Sequence, residues 1–232
     1  MKVFLNSAIC EAFTKATGIS TLPLKEYCRL DKPVSAHADM LINIIEEKIF
    51  CYADYYLENR EIFDEAMAMG YEIVKCAPPV SSEYPDDIGL NALIIGKRVI
   101  GKLDSLAPEL KTAALERGYA LIDTRQGYTA CATLMLDGEN IITGDTSVKA
   151  AAEKAGISVT LINERSIALE GYDYGFIGGA SLVYGKNIYV FGNAQTLSEY
   201  SKIKSEADRL GMTVISISSG EVVDFGGGRL IS

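Results

Sequence analysis

Short apolar runs and amphipathic helical stretches alternate along the whole chain in a repeating order. Five times a helical pattern ends at a glycine, and an apolar run typical of a β-strand follows at once. Glycine is the usual left-handed residue just past a helix, so each of these glycines predicts a helix C-cap. They are Gly18, Gly70, Gly118, Gly156 and Gly211. They recur about every 46 residues, a spacing that indicates a repeat architecture.

Two further apolar runs, joined by a polar turn, precede four of the helices. The turns lie at 46–47, 96–98, 137–140 and 185–187, and each predicts a β-hairpin. The helices that follow are predicted at 59–69, 107–117, 146–155 and 196–210. Thr196 and Glu199 have the spacing of a capping box, which favours a helix start at that point. One unit is therefore two strands, a helix and a third strand.

The fifth unit is predicted to be split between the two ends of the chain. Residues 221–232 supply its first strand, and residues 2–5, 7–17 and 19–24 supply its second strand, helix and last strand. Pairing the two ends closes the ring and removes a free sheet edge. The sequence predicts an α+β fold (an α/β propeller) of five ββαβ units in a pseudo-fivefold closed ring, forming one domain over residues 1–232.

The charge and the cysteine content limit the classes of partner and the cellular location that we expect. The formal net charge is −9 and the basic residues are dispersed, which disfavours nucleic acid and anionic membrane surfaces. No apolar stretch is long enough to span a bilayer. The cysteine count is odd and no CxxC pair occurs, so we expect reduced thiols in a cytoplasmic protein, with no zinc or other metal and no cofactor.

In such a ring the starts of the five first strands converge on one pocket at the axis. These stretches are 35–39, 86–91, 125–131, 172–181 and 224–229. They hold the only histidine, a cysteine, several carboxylates and clustered glycines. Polar residues at equivalent places in unlike repeats indicate a small-molecule site. The glycines at 178–179 and 226–228 precede no helix, so close backbone approach explains them better than a phosphate loop.

Three residues are candidates for catalysis. His37 and Asp39, two apart on a predicted strand, would share one face, where a carboxylate can orient an imidazole. A structural histidine at a strand start is the alternative. Cys131 opens another inner strand and could act as a nucleophile beside His37. A buried cysteine that only packs is the alternative for that residue.

Six further residues are predicted to line a pocket for a small polar ligand. They are Asn91, Arg125, Tyr128, Asp173, Tyr174 and Arg229. Asp173 could pair with a cation such as a guanidinium, and Arg125 could hold a carboxylate. Taken singly, each could instead serve turn chemistry or a surface ion pair.

Four segments carry a resemblance to a known family: HADM at 37–40, DIGLNA at 87–92, RQGYTAC at 125–131 and EGYDYGFIGGAS at 170–181. Together with the order of elements they resemble an uncharacterised bacterial family with the fold of the guanidino-group-modifying enzymes, the pentein fold. The amidinohydrolases and deiminases of that superfamily carry a nucleophilic cysteine after the C-terminal glycines, where this chain has Leu230 or Ile231. Their catalytic histidine falls near Tyr128. Only their acidic substrate-binding segment has a counterpart, at His37 and Asp39.

Two functions follow as hypotheses. The first is a site for an amine- or amino-acid-like molecule, with hydrolysis of a C–N bond by Cys131 or a bound water and with His37 and Asp39 as base and orienter. The second is a non-catalytic pentein module that binds a protein partner. A homodimer through the tyrosine-rich stretches, such as the one around Tyr52, is a further alternative. The sequence leaves open whether the protein is an enzyme.

Overall fold

Every apolar run that the pattern assigned to a strand pairs with its neighbours in one of five separate three-stranded sheets. The structure is a computed structural model and describes residues 1–232. The strands are β1 Lys2–Asn6, β2 Ser20–Leu24, β3 Ile42–Ile45, β4 Lys48–Tyr52, β5 Glu72–Cys76, β6 Leu93–Ile95, β7 Arg98–Gly101, β8 Ala120–Asp123, β9 Thr133–Met135, β10 Asn140–Thr143, β11 Ser158–Leu161, β12 Ser181–Tyr184, β13 Asn187–Val190, β14 Thr213–Ser216 and β15 Gly228–Ile231.

Seven α-helices and three short 3₁₀ turns connect these strands. The helices are α1 Cys10–Thr17, α2 Ala38–Leu41, α3 Ala53–Glu58, α4 Arg60–Ala68, α5 Pro108–Glu116, α6 Thr146–Lys154 and α7 Tyr200–Arg209. The 3₁₀ turns span Ser7–Ile9, Lys32–Val34 and Ala194–Thr196. No helix is long and apolar enough to cross a membrane.

The predicted ββαβ order is confirmed in every sheet. The first strand runs antiparallel to the second, and the second runs parallel to the third, as in β3-β4-β5. A hairpin therefore joins the first two strands, and a helical crossover leads to the third. The split unit is confirmed as well, because β1 pairs antiparallel with β15 and parallel with β2.

All five predicted helix C-caps are confirmed by backbone geometry. Each of the glycines at 18, 70, 118, 156 and 211 has a φ between 64° and 95°. A side chain would clash with its own carbonyl in this left-handed region, so glycine ends the helix at the least cost. All five of these helices thus end within one residue of the predicted end.

Hydrophobic clusters join neighbouring units around the ring. The largest cluster joins the split unit (β15-β1-β2) to the units of β3–β5 and β6–β8. Three smaller clusters join β6–β8 to β9–β11, β9–β11 to β12–β14, and β12–β14 to the split unit. Apolar packing therefore joins each unit to its neighbours and closes the ring.

Two local predictions about helices are wrong. The capping box at Thr196 and Glu199 does not form: Thr196 lies in a 3₁₀ turn, and α7 begins after Glu199 without a side-chain cap. An unpredicted helix, α3, precedes α4. It carries Tyr55 and Tyr56 into the largest cluster, where Tyr52 is also buried. This tyrosine-rich stretch therefore packs inside the molecule.

Candidate functional site

A cavity of about 250 Å³ opens at the end of the axis where the first strands begin. The buried side chains of His37, Cys131 and Asp224 form its floor. Its walls are mostly aromatic, and the exposed Tyr172 and Asp173 form its rim. The side walls are formed by Tyr128, Tyr174, Phe176, Val34, Met40 and Leu169. We call it the acidic cavity, since its lining contains two carboxylates and neither lysine nor arginine.

His37 and Asp39 lie together, but on a helix start and not on a strand. His37 is the extended residue before α2, and Asp39 lies in the first turn of that helix. The predicted shared strand face is therefore wrong, since β3 begins only at Ile42. The tight turn brings His37 Nδ1 to 4.0 Å from Asp39 Oδ1. The same nitrogen lies 3.7 Å from Oδ1 of Asp224.

Asp224 is a site residue that the sequence reasoning missed. It is 3 % exposed, and its carboxylate accepts hydrogen bonds from the backbone N–H groups of Phe176 at 2.8 Å and Gly226 at 2.9 Å. Glycines make this approach possible. A Cβ on Gly179 would lie 1.9 Å from Asp224 Oδ1, and a Cβ on Gly226 would lie 2.2 Å from that of His37. An aspartate directly before a glycine-rich strand was the available signal.

The carboxylate of Asp39 is buried without hydrogen-bond partners. The side chain is 1 % exposed, and neither oxygen accepts a bond from any group of the protein. Burial disfavours the charged form and raises the pKa of Asp39 to about 6. A positive charge on His37 opposes this rise, as does that of Arg229, and the charge of Asp224 adds to it. Native proteins seldom leave a buried carboxylate without hydrogen bonds. Both oxygens of Asp39 can therefore accept hydrogen bonds from a ligand.

Asn91 positions Cys131. Its Nδ2 donates to Cys131 Sγ at 3.0 Å and to Met40 Sδ at 3.2 Å, while its Oδ1 accepts from the N–H of Ala130 at 2.8 Å. Asn91 thus lies beside Cys131, but it is fully buried and holds the thiol instead of lining the cavity as predicted.

Cys131 is held in its protonated form in the free protein. Burial, followed by the charges of Asp39 and Asp224, raises its pKa well above the usual range, and the bond from Asn91 offsets only part of this. Asp39 lies close enough to act on the thiol, yet no hydrogen bond of good geometry joins them. A nucleophilic role for Cys131 therefore requires a positive charge nearby to stabilise the thiolate.

The remaining predicted residues divide between the cavity and other places. Tyr128 and Tyr174 line the acidic cavity, and Asp173 lies at its rim. The Tyr128 hydroxyl donates to Asp87 Oδ2 at 2.8 Å, and the pKa of Tyr128 is raised by burial and by that bond. Arg125 is exposed and lies outside the cavity lining.

Arg229 lies at the opposite end of the axis. It lines a second cavity of about 270 Å³, to which all five first strands contribute. Arg229 is the only charged residue in that lining, and we call this space the arginine cavity. The prediction that Arg229 shares one pocket with His37 is therefore wrong. Arg229 nevertheless remains near enough to Asp39 to favour its ionised form. No group of three His, Cys, Asp or Glu side chains is arranged to hold a metal ion.

The sequence of residues 5–228 matches one family model, described as a family of unknown function (DUF6873). The chain belongs to this family. The match spans nearly the whole ring. No curated protein matches the chain in sequence.

Solved structures of guanidino-group-modifying enzymes share this fold with the DUF6873 chain. An amidinotransferase from Microseira wollei, in the saxitoxin biosynthetic pathway, superposes with a TM-score of 0.61 at 11 % identity, covering 94 % of this chain and 88 % of that one. A mutant of DDAH from Pseudomonas aeruginosa, complexed with citrulline, gives 0.56 at 12 %, covering 98 % and 95 %. Inosamine-phosphate amidinotransferase from Streptomyces griseus gives 0.55 at 12 %, covering 95 % and 75 %. The predicted pentein fold is confirmed.

Proposed function

We propose that the acidic cavity binds a small organic cation with a guanidinium or amino group, and that the protein hydrolyses a C–N bond of that molecule. The buried Asp39 carboxylate carries the proposal, because both of its oxygens lack partners directly behind His37 and Cys131. A guanidinium or ammonium group supplies the N–H donors and the positive charge that such a carboxylate needs.

The aromatic walls support a cationic ligand as well. Tyr128, Tyr172, Tyr174 and Phe176 line the space above the carboxylates. Aromatic faces attract cations, most strongly where water is excluded. The overall charge of −9 favours the approach of a positively charged molecule. Two structures with this fold are named for molecules of related chemistry: the DDAH structure holds the amino acid citrulline, and another is an agmatine deiminase from C. jejuni.

A bound cation would also change the chemistry of Cys131. Its charge offsets those of Asp39 and Asp224, which, after burial, hold the thiol protonated. Cys131 can then transfer its proton to His37 and add to the electrophilic carbon, forming an S–C bond. The C–N bond breaks as the amine leaves with the proton from His37, and water hydrolyses the S–C bond to regenerate the thiol.

A water molecule activated by His37 is the alternative nucleophile at the same carbon. Replacing Cys131 by serine separates the two routes. Attack by the thiol predicts that turnover is lost while cation binding stays, whereas attack by water predicts that turnover persists. Burst kinetics and mass spectrometry of the quenched enzyme would show whether a covalent intermediate forms on Cys131.

The first experiment is a binding titration with agmatine and with arginine, followed by assays for ammonia and urea release. Binding should strengthen as the pH rises through about 6, because the pKa of Asp39 lies there and the ionised form attracts the cation. Asp39→Asn should weaken binding about a hundredfold and remove the pH dependence. Binding that is equal in wild type and Asp39→Asn would contradict the proposal.

A non-catalytic binding module is the second candidate. The raised thiol pKa favours it, since a protonated cysteine is a poor nucleophile. Agmatine binding without any product, in wild type and over the range from pH 6 to 9, would support this candidate over hydrolysis.

A further inference from the structure

The arginine cavity is distinct from the site proposed above. It lies at the other end of the axis, where the bodies of β3, β6, β9, β12 and β15 face one another. The acidic cavity, by contrast, is formed by residues that precede these strands. No residue lines both cavities.

The walls of the arginine cavity are apolar. Leu134, Leu182 and Val183 contribute, together with Ile44 and Ile94, and the partly exposed Met135 lies in the same lining. One other polar side chain is present, that of Asn43. Its amide nitrogen already donates to the carbonyls of Leu90 at 2.8 Å and Ala92 at 2.9 Å. Both amide hydrogens of Asn43 are thus already bonded to carbonyl groups of the protein.

Arg229 is the only group with unused donors in this space. Its side chain makes a single hydrogen bond, from Nη1 to the carbonyl of Gly228 at 3.2 Å. It forms no ion pair within 4.0 Å, and Asp39 acts on it only from a longer distance. A guanidinium carries five N–H donors in a planar fork that fits a carboxylate. Apolar walls around one such fork suit a ligand with an anionic head and an apolar body.

We propose that the arginine cavity is a second ligand site, which binds a small monocarboxylate through Arg229 and holds its apolar body between the five first strands. Charge complementarity favours the carboxylate over a neutral chain or an amine. The apolar walls favour a hydrocarbon body over inorganic phosphate, which would lose its hydration without replacement donors.

Octanoate is the probe, and 1-octanol, octylamine and inorganic phosphate are the comparison ligands. Calorimetric titrations of the full chain should show that octanoate binds at least about tenfold more tightly than 1-octanol. Methyl NMR signals of Leu134 and Leu182 should shift on binding. In Arg229→Met the affinity for octanoate should fall to that for 1-octanol.

A second pair of variants keeps the test sound if Arg229→Met folds poorly. Met135 is 39 % exposed, so substitution there leaves the packing intact. Met135→Glu adds a negative charge at the mouth and should weaken octanoate binding about threefold to tenfold. The neutral variant Met135→Gln, isosteric with the glutamate variant, controls for the lost methionine contact, so octanoate should bind Met135→Glu more weakly than Met135→Gln.

Four outcomes would overturn the proposal. They are no octanoate binding, equal affinities for octanoate and 1-octanol, unchanged octanoate binding in both Arg229→Met and Met135→Glu, and methyl shifts confined to the acidic cavity. The agmatine titrations test the other end of the axis, so failure here leaves the proposed function standing.

Discussion

The two ends of the ring axis are built from the same five repeats, yet they have opposite character. The acidic cavity holds His37, Cys131 and Asp224, with Asp39 buried behind them. The arginine cavity holds one charged group and apolar walls. The difference arises because one cavity is lined by the segments before the first strands and the other by the strands themselves.

This difference shows how a repeat fold divides its tasks. Strand bodies must keep the alternation that lets neighbouring units pack, so they offer little freedom for polar groups. The connecting segments carry no such constraint, and polar and strained residues concentrate there. Gly226, with a φ of 79°, belongs to such a segment, whereas Gly228 belongs to a strand.

The largest expected effect comes from these two glycines. A Cβ on Gly226 would overlap His37 at 2.2 Å in a left-handed backbone, so we expect Gly226→Ala to lower the free energy of unfolding by about 4 kcal/mol. A Cβ on Gly228 would meet only side-chain methyl groups, those of Val3 at 3.0 Å, Leu182 at 3.3 Å and Leu5 at 3.4 Å, so Gly228→Ala should cost about 1 kcal/mol. Urea denaturation measures both. Equal losses would show that the acidic end tolerates crowding as well as the strands do.

The second prediction concerns the charge of Asp39, and its comparison is the charge of Arg229 at the other end of the axis. The pKa of Asp39 is about 6 in the folded protein against about 3.9 in an unfolded chain, so folding favours the proton between these values. Stability is therefore lost as the pH rises from 4 to 6, by about 3 kcal/mol in total, and stays low above that range. Asp39→Asn should recover up to about 3 kcal/mol at pH 8 and much less at pH 4.

Arg229→Met provides the matched comparison for Asp39→Asn. Removing the positive charge that favours ionised Asp39 should raise the pKa of Asp39 further. Carbon-detected NMR of the aspartate side chains measures that titration. A wild-type pKa for Asp39 in this variant would show that the two ends of the axis are electrically independent.

Two buried asparagines give the third comparison. Asn91 bonds to Cys131 and Ala130 at the acidic end, while Asn43 bonds to two carbonyls beside the arginine cavity. Each alanine variant should lose about 2 kcal/mol of stability, since buried backbone groups lose their partners. Only Asn91→Ala should slow the alkylation of Cys131 by iodoacetamide, followed by mass spectrometry of its peptide. Equal rates in both variants would remove Asn91 from the control of the thiol.

The smallest expected effects come from two exposed tyrosines, of which Tyr172 lies at the rim of the acidic cavity. The Tyr172 hydroxyl donates to Asp31 Oδ2 at 3.0 Å, and the pKa of Tyr172 is raised to about 12, mainly by burial and next by this bond. Tyr172→Phe should cost about 0.5 kcal/mol, because both partners are exposed. Tyr184 of β12 is 43 % exposed and its hydroxyl makes no hydrogen bond, so Tyr184→Phe should change nothing measurable. Thermal unfolding measures the stability of both variants, and a loss of stability above about 1 kcal/mol in either one would contradict these expectations.

The repeat and its closure could be predicted because local signals specify them. A glycine after each helix and polar turns between apolar runs act within a few residues, and the structure confirms all five C-caps. The pairing of β1 with β15 followed from counting units around the ring, without any long-range signal.

The site was predicted less completely, for physical reasons. Residues 35–41 are a short, mixed run, and periodicity cannot separate a strand from a single helical turn over that length. The position of Arg229 depends on the register of its strand. Arg229 pairs with Phe4 of β1, so it lies inside β15 and not in the segment before that strand. The role of Asp224 depends on contacts with Gly179 and Phe176, which are more than forty residues away in sequence.

The split unit has a consequence for the order of biosynthesis. β1 and the crossover to β2 emerge from the ribosome long before β15, so their sheet lacks its first strand until β15 has been synthesised. Contacts so distant in sequence cost more loop entropy and form late. Asp224 lies shortly before β15, and Arg229 lies within it. Neither end of the axis is therefore complete before β15 has been synthesised and paired with β1, and any activity of either cavity would report that this step has taken place.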